Sequence, residues 1–176
     1  MKVNTSTVTK IYITDADKLD PVTVYAEDVG ARKGKITIEC YGESWSAYWD
    51  GMGNNTIADF FCSCDEHYIA GKLSSIRADV PDYDGLADKA KSEIIKLRKE
   101  LDIDKTEARQ LFDGADNFNG DLLSDNEQQK TMSEIFGDEW WYSIPDKPNH
   151  RYQYLCRIIL AVQTAFKQIA PNKIAA

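Results

Sequence analysis

Three cysteines and one histidine supply the ligand types from which proteins build zinc sites. Cys62, Cys64 and His67 are close in sequence, and Cys40 lies on a predicted strand before them. Their spacing is Cys-x-Cys-x-x-His rather than the usual Cys-x-x-Cys. Residues two apart on a helix point about 200° away from each other, so Cys62 and Cys64 can face one metal ion only if the segment is not helical. We therefore predict no metal and no cofactor, and we interpret the cysteines as small, reduced core residues. A zinc site formed by Cys40, Cys62, Cys64 and His67 is the alternative.

Cys64 and His67 also raise the question of nucleophilic catalysis, because a neighbouring histidine can activate a thiol. No flanking motif accompanies this pair. The second histidine, His150, lies at a predicted helix start, where a role in capping or a position on the surface accounts for its presence. We therefore predict that the protein is not an enzyme and has no catalytic residue. A small metal-dependent or Cys-His enzyme is the alternative.

The segment 116–127 has the length of a calcium-binding EF-hand loop, but its register is wrong. Such a loop needs oxygen ligands at its third and fifth positions and glycine at its sixth. Here Phe118 occupies the third position and Gly120 the fifth. We therefore interpret this segment as an acidic loop that does not bind calcium.

The negative charge of the chain is concentrated in residues 113–146. This segment holds nine carboxylates and one base, Lys130, so its net charge of −8 equals that of the whole chain. Such a chain lacks the clustered Lys and Arg of general nucleic-acid binding, so we expect no direct contact with nucleic acid. A solvated loop surface is one interpretation, and a surface for a basic protein partner is another. A third is an acidic nucleic-acid mimic using 113–146, in which carboxylates imitate phosphates.

Trp140 and Trp141 lie inside this acidic segment. The residue before Pro145 favours an extended backbone, so we predict that the segment is extended and that the two indoles point to opposite faces. Tyr142 then shares a face with Trp140. One tryptophan is expected to be buried and the other partly exposed among acidic residues; burial of both from different sides is the alternative.

An exposed tryptophan with charged neighbours is a typical anchor of a protein interface. The sequence therefore predicts a partner-binding site in the most aromatic part of the chain. Its members are Trp140, Trp141, Asp138, Glu139 and Asp146.

Four alternating, β-branched segments come before any helical pattern. The predicted strands cover 10–14, 22–27, 35–41 and 45–49. In the third, Ile36, Ile38 and Cys40 face one way. Short connections between consecutive strands predict an antiparallel meander, and residues 74–85 are predicted to be a linker.

Helical patterns follow the strands. Helices are predicted at 57–65 with a further turn to 73, over the apolar stripe 86–101, over 105–115, at 127–136 and from 150 to 169. The last has Asn149 as its cap and is predicted to be the centre of the core. Its stripe consists of Leu155, Ile158, Ile159, Val162, Phe166 and Ile169.

These patterns predict an α+β fold, an N-terminal four-stranded antiparallel meander followed by about five helices. We predict a single domain over 1–176, compatible with two subdomains, 10–73 with the sheet and a helix and 84–170 with the other helices. The longest apolar run covers only 158–162, far below the roughly 20 residues of a membrane span. No apolar run follows the first residues, so we expect a cytoplasmic protein without contact with a membrane.

Four stretches resemble small, uncharacterised accessory proteins of temperate phages and prophages of enteric bacteria. From Phe136 the chain is Phe-Gly-Asp-Glu-Trp-Trp-Tyr-Ser-Ile-Pro-Asp-Lys-Pro-Asn, and from Tyr154 it is Tyr-Leu-Cys-Arg-Ile. The other two stretches are Lys-Ile-Tyr-Ile-Thr-Asp-Ala-Asp from Lys10 and Cys-Tyr-Gly-Glu-Ser-Trp-Ser-Ala-Tyr-Trp-Asp-Gly-Met-Gly from Cys40.

The resemblance implies a phage-encoded protein in the cytoplasm of the host cell. It brings no established activity, cofactor or catalytic residue. Small accessory phage proteins often bind host proteins, so we expect a non-enzymatic protein that binds a host protein. Inhibition of a host nuclease or defence complex is the sharper form of this expectation. The identity of the partner and the oligomeric state are left open.

Overall fold

A computed structural model describes residues 1–169, and a four-stranded sheet opens the chain. The strands β1 (Thr9–Ile13), β2 (Val22–Gly30), β3 (Lys33–Cys40) and β4 (Glu43–Trp49) pair in the order β1-β2-β3-β4, each antiparallel to the next. The buried positions alternate along β3, and Ile36, Ile38 and Cys40 are all buried. The predicted meander is confirmed, and with it the α+β class.

The helices follow this sheet. They are α1 (Ile57–Ser63), α2 (Glu66–Leu73), α3 (Tyr83–Glu100), α4 (Lys105–Ala115), α5 (Asn126–Phe136) and α6 (His150–Ile169). Single 3₁₀ turns cover Leu122–Ser124 and Trp140–Ser143. The described chain thus has six α-helices, where about five were predicted.

A small second sheet was missed by the sequence analysis. Strands β5 (Asp79–Pro81) and β6 (Asp146–Pro148) pair antiparallel, with Val80 opposite Lys147. Strand β5 lies within the segment 74–85 that was predicted to be a linker. Each strand has three residues and ends in proline, so it is too short to show an alternating pattern.

The chain divides into two compact units. Within the described residues, unit 1 contains 1–78 and 149–169, and unit 2 contains 79–148. Unit 2 is therefore an insertion in the sequence between α2 and α6. The predicted subdomains 10–73 and 84–170 grouped α6 with the other helices, whereas the structure groups it with the sheet.

The core of unit 1 explains why α6 belongs with the sheet. Five members of the predicted α6 stripe are buried in one cluster with the inward face of the sheet and with α1 and α2. The phenyl rings of Phe61 and Phe166 pack edge to face at 5.9 Å. Ile169, the sixth predicted member, is 49% exposed, so the stripe ends one turn earlier than predicted. The predicted cap is confirmed, because the Arg151 N–H donates to Asn149 Oδ1 at 3.0 Å.

The core of unit 2 is built from helices that are close in sequence. Leu86, Ala90 and Ile94 of α3 are buried together with residues of α4 and α5, Phe118, Leu122 and Trp140. The predicted α3 stripe continued to Leu101, but this residue adopts a left-handed backbone after the last turn of α3 and is exposed. Asp104 caps α4, accepting from the Thr106 and Glu107 N–H groups.

Candidate functional site

The predicted partner-binding residues lie on a 3₁₀ turn rather than on an extended segment. The turn covers Trp140–Ser143, and the Trp140 N–H donates to the Gly137 carbonyl at 3.2 Å. The prediction of an extended segment is wrong for a physical reason. The steric rule for a residue before proline acts on Ile144 alone, which is extended, and it leaves the residues before Ile144 free to turn.

This turn separates three consecutive aromatic side chains. Successive residues of a 3₁₀ helix point about 120° apart, so each indole or phenol takes its own direction. Trp140 is 8% exposed and belongs to the core of unit 2, whereas Trp141 is 49% exposed and Tyr142 is 78% exposed. The expected split between one buried and one exposed tryptophan is confirmed. The expectation that Tyr142 shares a face with Trp140 is wrong.

We refer to Trp141 and Tyr142 together as the aromatic ridge. Their ring centroids lie 5.9 Å apart, and the Trp141 ring lies 5.9 Å from that of the buried Trp140 in an edge-to-face arrangement. The Tyr142 N–H donates to the Glu139 carbonyl at 3.1 Å. The ridge therefore projects from a hydrogen-bonded turn whose first side chain is fixed in the core.

Four of the nine carboxylates in 113–146 are already engaged within unit 2. Asp113 pairs with Arg109 at 3.3 Å, Asp116 with Lys91, and Glu134 with Lys130 at 3.7 Å. Asp125 caps α5, and hydrogen bonds from the Gln128 side chain and from the backbone N–H groups of Gln128 and Glu127 lower the pKa of this carboxyl. The charge of the segment is therefore less uniform than its composition suggests.

The other five carboxylates have no ion pair among residues 1–169. They are Asp121, Glu127, Asp138, Glu139 and Asp146. Three of these were predicted as partner-binding residues, and all three are exposed. Their negative charge is available to an approaching molecule.

The lysine beside Asp146 does not neutralise it. Lys147 Nζ lies 3.0 Å from Asp82 Oδ1 and 2.5 Å from Asp84 Oδ2. Hydrogen bonds to Asp84 and then to Asp82 raise the pKa of Lys147, while the bond from Lys147 lowers the pKa of Asp82. Lys147 is thus held charged and occupied, which leaves Asp146 as an uncompensated carboxylate on β6.

Three of the four residues of the alternative zinc site have separate hydrogen-bond partners. Cys40 Sγ lies 3.6 Å from the Tyr154 hydroxyl, and Cys62 donates to the Gln163 carbonyl at 3.5 Å. His67 Nδ1 lies 2.8 Å from the Tyr152 hydroxyl, and the two rings stack. Within the described chain, no three metal-binding side chains come together.

The same geometry disfavours a Cys-His nucleophile. Burial is the first cause that raises the pKa of both Cys62 and Cys64, so these thiols stay protonated near neutral pH. The hydrogen bond of His67 is to Tyr152, on α6, and not to a thiol. The alternative of an enzyme therefore gains no arranged nucleophile from these residues.

A cavity in unit 1 was not predicted from the sequence. It has a volume of about 420 Å³, and the β3–β4 hairpin, Asp20, Ile76 and the first turns of α6 form its walls. These residues come from four separate segments, so no local spacing could have indicated it. It has the size of a small-ligand site.

The polar groups of this cavity are bonded mainly to one another. The Tyr154 hydroxyl donates to Asp20 Oδ2 at 2.8 Å, and Arg151 pairs with Glu43 at 2.9 Å. A hydrogen bond from the Asp20 N–H lowers the pKa of Tyr154. Burial and the bonds to the Asp20 carboxylate and to Cys40 outweigh it and raise that pKa to about 12. Tyr154 is therefore a neutral structural group rather than a base.

Comparison with known proteins gives one match. A family model described as a phage family, Phage_phiTE_072, matches residues 1–168. No curated protein and no solved structure matches the chain. Among the helices of residues 1–169, none combines the length and the apolar composition that crossing a membrane requires.

Proposed function

Because the chain belongs to this phage family, we propose that it is a non-enzymatic phage accessory protein that binds a host protein through unit 2. The contact surface consists of the aromatic ridge with Asp138, Glu139 and Asp146. The observation that carries the proposal is the exposure of two adjacent large aromatic side chains on a turn fixed by the buried Trp140.

The aromatic ridge has the properties of an interface anchor. Tryptophan and tyrosine are the residues most enriched among those that dominate binding energy. Each loses few rotatable bonds on binding, and a turn already held by backbone hydrogen bonds loses little further entropy. Because Trp140 lies in the core of unit 2, the position of Trp141 is largely set before a partner arrives.

The unpaired carboxylates specify the chemistry of the partner. Asp138 and Glu139 directly precede the 3₁₀ turn, and Asp146 follows it closely in sequence. A negative surface of this kind favours a partner with a positive surface and speeds their association. Proteins that bind nucleic acid carry such surfaces, so a host nuclease or a nucleic-acid-dependent defence complex is the partner that we propose.

A pull-down from host lysate, followed by direct titration, tests the proposal. The resemblance to proteins of temperate phages of enteric bacteria makes an enteric host the first source of lysate. We expect the captured protein to bind the wild type and to bind a Trp141→Ala, Tyr142→Ala double variant at least about tenfold more weakly. Tyr12→Ala removes an exposed aromatic group from β1 and serves as the matched control. Equal affinity of the double variant and the wild type would overturn the proposal.

Two pairs of charge-neutralising substitutions separate this proposal from nucleic-acid mimicry. A mimic uses the whole acidic segment, so Asp121→Asn with Glu127→Gln should weaken binding as much as Asp138→Asn with Glu139→Gln. The aromatic ridge proposal expects only the second pair to weaken it. A mimic would also compete with DNA for the host protein in a salt-sensitive way.

A further inference from the structure

Unit 2 also contains a concave surface, and this surface differs in charge from the aromatic ridge. It is a groove of about 650 Å³ formed by α3 and α4. The apolar residues that line it are Ile94, Ile95, Ala108 and Phe112. Ile94 belongs to the core, but Ile95 beside it is 47% exposed. The packing of unit 2 therefore leaves apolar surface uncovered in this groove.

The groove is positively charged in a chain whose net charge is −8. Arg98, Lys99, Lys105 and Arg109 line it, against a single carboxylate, Asp113. Asp113 pairs with Arg109 at 3.3 Å, and both side chains are largely exposed. Lys99 and Lys105 have no ion pair within residues 1–169. The lining has an excess of positive charge even after the internal pair is formed.

The acidic residue that directly precedes α4 is engaged as the cap of that helix. Asp104 accepts from the Thr106 N–H at 2.7 Å and from the Glu107 N–H at 2.9 Å, as the cap of α4. Glu100, the last residue of α3, and Asp102, between α3 and α4, do not line the groove. Apart from Asp113, no carboxylate among residues 1–169 lines the groove.

We propose that this groove binds an acidic, amphipathic helical segment of a partner protein. The apolar floor suits side chains at positions i, i+3 or i+4, and the cations suit carboxylates on the flanks of such a helix. Lys105 and Arg109 are four residues apart on α4, which separates them by about 6 Å along its axis. Because the cations of the groove are distributed along two helices, they match a row of carboxylates better than they match a single phosphate or carboxylate group.

The length of the groove supports the same occupant. On α4 the lining extends from Lys105 to Asp113, which is about 12 Å or a little over two helical turns. That length accommodates two or three apolar side chains of a docked helix. The groove and the aromatic ridge therefore select segments of opposite charge.

Fluorescence anisotropy with a labelled synthetic helix tests this inference. The probe is an amphipathic peptide of about 20 residues with leucine at helical spacing and glutamate on both flanks. We expect the wild type to bind it, and a Lys99→Glu, Lys105→Glu variant to bind at least about tenfold more weakly. Lys130→Glu, a charge reversal at an exposed lysine of α5, is the matched control and should bind nearly as well as the wild type.

Three results would overturn the inference. They are no binding by the wild type, equal binding of a peptide with the same composition in scrambled order, and equal binding by the charge-reversed groove. Ile95→Asn gives an independent check of the apolar floor and should weaken binding without changing the charge. Sedimentation of the protein alone gives one further test. Self-association that Lys99→Glu abolishes would show that a second copy occupies the groove, and this result would also overturn the inference.

Discussion

The two units of this protein differ in how the polar side chains of their candidate binding surfaces are bonded. In unit 1, several polar groups around the cavity are bonded to one another, as Arg151 is to Glu43 and the neutral Tyr154 hydroxyl is to Asp20. In unit 2, three exposed carboxylates of the predicted site and two lysines of the groove have no ion pair among residues 1–169. Groups at these surfaces that have no internal partner are available for binding, which is why we propose unit 2 as the unit that recognises a partner.

The apolar groups show a related difference. Unit 1 places its α6 stripe against a sheet whose strands are fixed by a continuous ladder of hydrogen bonds. Unit 2 packs helices against one another, and it exposes the adjacent Trp141 and Tyr142 as well as Ile95. Unit 1 also exposes tyrosines, but Tyr12 lies on β1, Tyr41 in the β3–β4 turn and Tyr48 on β4. Monomeric proteins usually cover large apolar groups that lie together, so those left uncovered indicate where a partner binds. The predictions below test this division between a structural unit and a binding unit.

The largest effect is expected from the buried tryptophan of unit 2. Trp140→Ala should lower the free energy of unfolding by about 3–5 kcal/mol, because it removes a large side chain from the core. Trp141→Ala should change it by less than about 1 kcal/mol, because the indole is half exposed. Urea titration of both variants measures the difference. If the two variants were destabilised alike, the exposed position of Trp141 would be wrong and the aromatic ridge would be part of the core.

The next effect concerns the central helix of unit 1. Ile158→Ala on α6 should cost about 2–4 kcal/mol, since Ile158 is fully buried between helix and sheet. Lys167→Ala on the solvent side of the same helix should change stability by less than about 0.5 kcal/mol. Ile158→Ala should also leave binding of the host protein unchanged where the protein is folded. A specific loss of binding would contradict the assignment of recognition to unit 2.

A smaller loss is expected from a buried amide that joins α6 to α1. Gln163 Nε2 donates to the Phe61 carbonyl at 2.9 Å and to the Cys64 carbonyl at 2.8 Å. Gln163→Ala leaves both carbonyls without this donor and should cost about 1–3 kcal/mol. The exposed Gln168→Ala is the control. Equal denaturation midpoints for the two variants would show that these carbonyls are satisfied in another way.

The sequence predicted the parts of the fold that depend on local patterns. Alternation along β3 indicates the buried face of that strand, and the spacing of Leu155, Ile158 and Val162 indicates the buried face of α6. Asn149 marks the start of α6 because its own side chain caps the helix. The short β5–β6 pair was not predictable, because its stability comes from residues far apart in sequence. The placement of α6 with the sheet was missed for the same reason.

The candidate site was predictable in composition but not in shape. The concentration of carboxylates and the neighbouring tryptophans identified residues 138–146. Proline at 145 suggested an extended backbone, whereas hydrogen bonds to Gly137 and Glu139 produce a turn. The groove depends on how α3 packs against α4, and helical periodicity does not specify which residues of two helices line a shared concavity.

The smallest effect expected is the pH dependence contributed by Asp125. Its pKa is lowered in the folded protein, first by the Gln128 side chain and then by the backbone of α5, so the folded state favours the ionised carboxyl. Its contribution to stability is therefore fully present above its unfolded pKa, about 3.9, and is lost as the pH falls through the lower folded value.

The variant Asp125→Asn keeps an oxygen for the cap but does not titrate. The stability difference between the wild type and Asp125→Asn should accordingly be constant from pH 7 to pH 5 and should shift toward the variant below about pH 4. Urea titrations across that range measure it. A difference that does not vary with pH would mean that Asp125 titrates alike in the folded and unfolded chains. Asp125 would then be one of the carboxylates that are available to bind a partner, rather than one of those that stabilise unit 2.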